Sequence, residues 1–411
     1  MSSPSAARRL TAYAVVATLA RGAGAGLPSA VILGVLAAGG SASDGSLLIA
    51  AFTAVSGICG PFVGAVIDRL AHPKRGYVVA AVVLAVYAGA LAFVLGTWPG
   101  GVLVFLAGIA GLAHPLFFGA WSAQLRRIAP GVAPARAYSL DVGTYNVADI
   151  AGPAIVGVAF IFDTVTPGAA SLEVVCVLYV AALVALFFVR IPQRSETHLD
   201  PPASFAQTLT YLTILWRSVS LRRSTVISTL AYIGIAGLVV SAPLLGADLA
   251  GDSGTGALLL AVVAIGALGG SLAMARRPPR TGPGTLVVIS TLGLALALAA
   301  LAIAPSMWWA VGVALFVGAT QAPQLSAVMQ VRDREAPQHA RALVFMGATS
   351  LKTAAFALGS LLAAAFVPLG WRPLLAGAAA IEVLAVAVGL LLAGRRRSAY
   401  RGALPTTTTE G

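Results

Sequence analysis

The stretch LLIAAFTAVSGICGPFVGAVIDRLAHPKRGYVVAAVVLAVYAGALAFVL, residues 47–95, decides the fold. Residues 47–67 carry no charge, Asp68, Arg69, Lys74 and Arg75 then crowd together, and residues 76–95 are again uncharged. A helix rises 1.5 Å per residue, so about 20 apolar residues cross the hydrocarbon of a bilayer. Each flank is long enough to cross, and the charged cluster between them is a turn at a membrane face. Neither flank alternates over about ten residues as a barrel strand would.

The pattern extends through the chain. Of 411 residues, 59% are hydrophobic and 10% charged, with mean hydropathy +0.92. Soluble domains carry about 25% charged residues. A soluble enzyme, a disordered chain and a coiled coil are excluded. Spans are predicted at 10–38, 46–67, 77–95, 101–125, 137–162, 171–189, 225–247, 254–275, 285–304, 307–330, 342–368 and 373–394. The expectation is an all-α polytopic membrane protein with 12 transmembrane helices.

The net charge of +12 would suggest nucleic acid in a soluble chain. Here 23 of the 26 Lys and Arg residues fall in alternate gaps between spans or at the two ends. The outer gaps hold only Arg372, and Arg21 and Lys352 lie inside spans. That is the positive-inside pattern. It places both termini in the cytoplasm of a cell-membrane protein and makes lipid headgroups, not nucleic acid, the partner of the charge. Arg8-Arg9 ahead of an apolar run resembles a signal peptide, but Arg21 interrupts the run, which continues to Ala38 as a retained first span. Cys59 and Cys176 sit in apolar runs and the four histidines are scattered, so no disulfide framework, metal or cofactor is expected.

One long gap divides the spans six and six. The expected organisation is a first half over 1–189, a cytoplasmic linker over 190–223, a second half over 224–397 and a disordered tail over 398–411. Within the linker, Phe205, Leu209, Leu212, Trp216 and Val219 share one face of an amphipathic helix suited to the inner leaflet. Three anchors mark an internal repeat. Gly60-x-x-x-Gly64 aligns with Gly266-x-x-x-Gly270, His114-Pro115 with Ala322-Pro323, and Ala135-Arg136-Ala137 with Ala340-Arg341-Ala342. Two similar six-helix halves are the parallel-repeat plan of a secondary transporter.

The cluster Gly64-Ala-Val-Ile-Asp68-Arg69, with Lys74 and Arg75, resembles the signature loop of the major facilitator superfamily, and the likeness covers essentially the whole chain. Ala71 and His72-Pro73 depart from that signature. Gly152-Pro153-Ala-Ile-Val-Gly157 in the fifth span is similar to a pattern of drug–proton antiporters in that superfamily, although Ala148 and Val156 depart from it and no arginine occupies Leu106–Gly111 of span four. The resemblance implies a monomeric carrier. It also implies a conformational latch built from Gly60, Gly64, Asp68, Arg69, Lys74 and Arg75, in which Asp68 caps a helix or pairs with cations in one state of the cycle.

Ionisable side chains in mid-bilayer cost about 2.5–3.5 kcal/mol and default to functional roles. Arg21, His114, Asp149, Lys352 and Glu382 qualify. By depth, Arg21 is expected to pair with Asp149, and Lys352 with Glu382. Phe117, Phe118 and Trp121 form an aromatic face on span four. With Tyr145, Gln321 and Gln324 they are expected to line a substrate cavity for a bulky, partly apolar solute. An aromatic stripe also packs ordinary helices together, and a lone histidine is commonly structural.

The function expected is export of a small, partly apolar organic compound by alternating access, with protons as a candidate coupling ion. A proton-coupled uptake symporter of the same fold is the alternative. A membrane-embedded lipid-linked transferase is the rival from another class, and no loop supplies the clustered catalytic residues it needs. The chain is not expected to be an enzyme.

Overall fold

The computed structural model describes residues 4–70, 72–130, 132, 134–163, 168–191, 213, 215–276, 279–335 and 341–401. Among them, all regular structure is helical. The spans are Pro4–Ala37, Ala42–Arg69, Pro73–Val94, a fourth in two pieces (Gly100–Ala113 and Gly119–Ile128), Pro134–Ile161 and Ala169–Phe187. The second six are Val219–Ala250, Ser253–Arg276, Pro283–Ala302, Met307–Glu335, Arg341–Phe366 and Trp371–Arg401. Twelve helices are long and apolar enough to cross a membrane, as the sequence predicts.

Several details differ from expectation. The seventh helix begins at Val219, so the end of the expected amphipathic linker face belongs to that span. Most of that face, residues 205–212, lies outside the described residues, as does the Thr406–Thr409 tract. The twelfth helix continues to Arg401, past the expected start of the tail. Span four is not one helix. Pro115 has no N–H to donate, and a 3-10 turn at His114–Phe117 ends on Phe118, whose φ −99° and ψ −107° break the regular ladder.

In hydrocarbon every backbone polar group must be paired within the protein, and helices satisfy all but those at their ends. The ends are closed locally. Ser41 and Asp44 form a reciprocal capping box on span two. Asp252 accepts from the N–H groups of Gly254 and Thr255 at 3.1 and 3.0 Å on span eight. Large apolar side chains face outward, among them Phe93 at 78% and Phe105 at 68% exposure, as lipid contact requires.

Spans one to six share one apolar core, with span one packed on five and six, two on four, and three on six. In the second half, span twelve packs on seven and nine, and ten packs on eight and nine. The halves meet where span two runs along eleven and five along eight. Val240, Ala257, Ala363 and Leu374 of the second half join the core of the first. All four lie in the part of their helices remote from the two chain termini. The halves are therefore sealed at the end of the bundle away from the termini.

Glycine sets how close the seams come. On the five–eight seam a Cβ on Gly157 would stand 2.9 Å from the Gly254 carbonyl oxygen and 3.0 Å from Leu258. Gly157→Leu is expected to cost about 1–3 kcal/mol by overpacking, read as a lowered thermal midpoint in detergent. A midpoint equal to the wild type would show slack in this seam.

Candidate substrate path and charge network

Span one brings Arg21 into the first half fully buried. Its Nη1 donates to Asp141 Oδ1 at 2.7 Å, to the Asp141 carbonyl at 3.2 Å and to Thr144 Oγ1. Nη2 donates to Ser122 Oγ at 2.9 Å and the Phe118 carbonyl at 3.4 Å, and Nε to the Phe117 carbonyl at 3.1 Å. The break in span four turns those two carbonyls toward the guanidinium. Tyr145 lies under it, with 3.7 Å between Cζ and the ring centroid. Asp141 is satisfied in turn by the Tyr13 hydroxyl at 2.5 Å and the Ser122 hydroxyl at 2.7 Å. A buried ion pair persists when further hydrogen bonds saturate both members, and here spans one, four and five supply them.

The expected Arg21–Asp149 pair is therefore replaced by Arg21–Asp141. The two backbones do match in depth. Gly22 lies level with Ala148, and a Cβ on Gly152 would collide with the Gly22 carbonyl. Side chains on a helix point back toward its N-terminus, so the long arginine reaches toward Asp141 rather than outward to Asp149. Asp141, Tyr145 and Asp149 follow at i, i+4 and i+8 and share one face of span five. Asp149 is exposed and makes no hydrogen bond or ion pair among the described residues. It lies within electrostatic reach of Arg21 on one side and of Tyr232, on span seven of the other half, on the other. The saturated Asp141 and the exposed Asp149 thus stand two turns apart on one helix face.

The second expected pair is also corrected. Lys352 sits over the Tyr232 ring, its Nζ 4.6 Å from the centroid. Glu382 is buried against Gly234, with both carboxyl oxygens unbonded. Tyr232 and Gly234 are two residues apart, about 200° around a helix. Span seven therefore stands between Lys352 and Glu382, and depth alone could not show this.

The expected cavity lining divides. Phe117 and Trp121 are core residues, with Trp121 stacked on Tyr13 at 5.4 Å and edge-on to Tyr77 at 4.9 Å. Gln324 is buried and donates to Thr291 Oγ1 of span nine at 2.7 Å. Gln321 and Phe118 are half-buried. His114 bonds Ser56 Oγ at 3.0 Å and is wedged between Phe52 and Phe118, which accounts for it structurally.

At the loop after span two, Lys74 donates to the carbonyls of Phe187 and Val189 at 3.1 and 3.0 Å, closing the end of span six. Arg75 is exposed, and Gly60 packs beside Pro115 of span four and Ser350 of span eleven. The surroundings of Gly64 and the side chains of Asp68 and Arg69 lie outside the described residues. The sequence reading missed Arg332. It was counted among the loop charges, yet it lies fully buried inside the Met307–Glu335 helix. Its position three residues before the end of a long helix was the only signal. A surface cleft of about 310 Å³ between Arg223, Gly284 and Arg334 lies at the helix ends, away from these groups.

A family model described as Major Facilitator Superfamily matches residues 12–352. The chain belongs to this superfamily. Solved structures similar to it include a mutant of the nucleoside transporter NupG, at TM-score 0.75 and 13% identity over 93% of this chain and 99% of that one. A bacterial homolog of the human lysosomal transporter Spinster, described as inward-facing and unoccupied, aligns at TM-score 0.72 and 14% identity over 96% and 98% of the two chains. A POT family transporter in complex with a thioalcohol-conjugated peptide aligns at TM-score 0.72 and 12% identity over 95% and 96%. At such identities the likeness is one of fold. No curated protein sequence matches the chain.

Removing Arg21 alone strands a buried carboxylate. Arg21→Ala is expected to cost about 3–5 kcal/mol in folding stability, and adding Asp141→Ala should restore part of it. A double variant less stable than the single one would show that the two side chains do not act as a pair.

Proposed function

We propose that this superfamily member is a secondary active transporter that exports a small, partly apolar organic compound by alternating access, with a proton as the coupling ion. The observation that carries the reading is Asp149: an exposed, unpaired carboxylate midway along span five, one turn beyond Tyr145 and facing span seven across the gap. A carboxylate that bonds nothing among the described residues is free to exchange a proton or a cationic group, whereas the saturated Arg21–Asp141 pair is a fixed brace.

The seal described above lies at the end of the bundle away from the termini. With the termini cytoplasmic, as the distribution of Arg and Lys implies, the sealed end faces outward, which suits the state in which an exporter loads from the cytoplasm. The resemblance of Gly152-Pro153-Gly157 to an antiporter pattern supports export. In the proposed cycle the Asp68–Arg69 loop with Lys74 and Arg75 holds the cytoplasmic side when it closes, and the protein works as a monomer in the cell membrane.

Proteoliposomes with and without a pH gradient test the reading against a panel of organic compounds. Gradient-driven movement opposite to the proton flow is expected, and movement with the protons would replace export by symport. Asp149→Asn should abolish gradient dependence while leaving folding intact, since the side chain bonds nothing. Wild-type coupling in that variant would remove Asp149 from the mechanism. Asp68→Asn should slow transport without loss of expression; a surface charge of no consequence changes stability by less than about 0.5 kcal/mol and leaves transport unaltered. For sidedness, a single cysteine at Thr97 should react with an impermeant label from outside and one at Arg190 should not. The reverse pattern would invert the orientation.

A further inference from the structure

The two halves differ in how they treat a buried arginine. Arg21 in the first half has every donor group engaged, whereas Arg332 in the second is fully buried and none of its three nitrogens has a hydrogen-bond partner among the described residues. Lys352 is 6% exposed, and among the described residues its one favourable electrostatic contact is the ring of Tyr232. Arg332 and Lys352 also repel one another. No carboxylate pairs with either cation among the described residues. The face of span seven turned toward spans ten and eleven adds further unmet groups. Thr225, Thr229 and Tyr232 follow at i, i+4 and i+7, and the hydroxyls of Thr225 and Thr229 are buried with no partner. Buried polar groups in native proteins are paired, and each exception needs an explanation. Two cations and two hydroxyl groups left unmet in one region have a common explanation in an anion that they bind together.

We propose that Lys352 and Arg332, with Tyr232 beside the lysine, bind an oxyanion, carboxylate or phosphate, in the wall of the transport path. The compound carried then has an anionic head as well as an apolar body. The inference deepens the transporter reading and rests on it for the word transport; the anion site itself rests on the unmet groups. Asp149 faces the same Tyr232 from the opposite half. An anion on Lys352 thus sits across the gap from the carboxylate proposed for coupling, and their repulsion links the occupancy of one to the charge of the other. Lys is a point charge that releases its ligand readily, and Arg offers a planar fork of donors, so the pair can take an oxyanion from either side.

The test uses purified full-length protein in detergent, in a buffer low in other anions. Its thermal midpoint is followed against 3-phenylpropionate, the matched alcohol 3-phenylpropan-1-ol, and inorganic phosphate. A saturable rise with 3-phenylpropionate and none with the alcohol is expected. Lys352→Met and Arg332→Gln should each weaken half-saturation about tenfold or more, the effect of losing one charge-assisted bond. Without any anion, Lys352→Met should melt no lower than the wild type, because it removes a buried charge that nothing opposes; a merely structural lysine would give a lower midpoint. Arg332→Lys keeps the charge and should keep the rise, which covers the case in which Arg332→Gln fails to fold. If phosphate alone gives the same rise with the same dependence on both cations, the anion site stands with a free oxyanion as its occupant. No rise with either anion in the wild type, or a rise that survives both charge-removing substitutions, overturns it. Anion binding without transport in proteoliposomes would sink the transporter reading and leave the site. Transport of cations with no anion-dependent rise would do the opposite.

Discussion

A guanidinium in the interior of a membrane bundle has no water to solvate it, and the first half of this protein is arranged around that constraint. Arg21 draws in the carboxylate of Asp141, the hydroxyls of Ser122 and Thr144 and two carbonyls freed by the break at His114–Phe117. The Tyr13 hydroxyl then donates to the same Oδ1 that Arg21 bonds, and Ser122 donates to Oδ2. Removing any one contributor leaves a buried polar group unmet, so the network holds spans one, four and five in one relative position. The interruption of span four, costly in an isolated helix, is offset here because its freed carbonyls become ligands.

The second half keeps the helical plan and drops the brace. Its buried cations stand near a tyrosine ring and polar hydroxyls without, among the described residues, a carboxylate to match Asp141. Cation–π attraction contributes on the order of 1–2 kcal/mol when desolvated, less than a burial penalty of several kcal/mol per unpaired ion. In the proposed cycle, a rigid, satisfied half set against an unsatisfied one gives a fixed frame and a part whose energy changes when a ligand arrives. A ligand shifts such an equilibrium only by its difference in affinity for the two states. A group whose partner is the ligand itself supplies that difference.

The number and place of the helices were legible because hydropathy is local: twenty apolar residues read the same whatever they later touch. The halves were legible because Gly60, Gly266 and their companions repeat along the chain. The partners of the charges were not. Depth counted along a helix put Arg21 level with Asp149, and the backbones do stand level there, but depth says nothing of the direction in which a side chain reaches. Lys352 and Glu382 match in depth and face opposite sides of span seven. Arg332 read as a loop charge because positive residues gather at helix ends, a bias of topology that conceals the one that is buried. Phe117 and Trp121 read as cavity wall because an aromatic stripe at helical spacing serves a binding face and a packing face equally.

The seams explain how such a bundle can move at all. Gly57 opposite Ser350 and Ala354, and Gly157 opposite Gly254, put helix backbones of the two halves in direct contact. Between lipid-facing helices, apolar side chains gain nothing by leaving hydrocarbon for protein, so association depends on close packing and on hydrogen bonds. Small residues supply the closeness without interdigitated side chains that would have to be withdrawn for the halves to part. A seam of glycines is thus held by dispersion over a smooth surface and can roll, whereas the Arg21 network, built of directional bonds, cannot. In the proposed cycle, the division between what rocks and what is fixed follows from which contacts are shaped by glycine and which by charge.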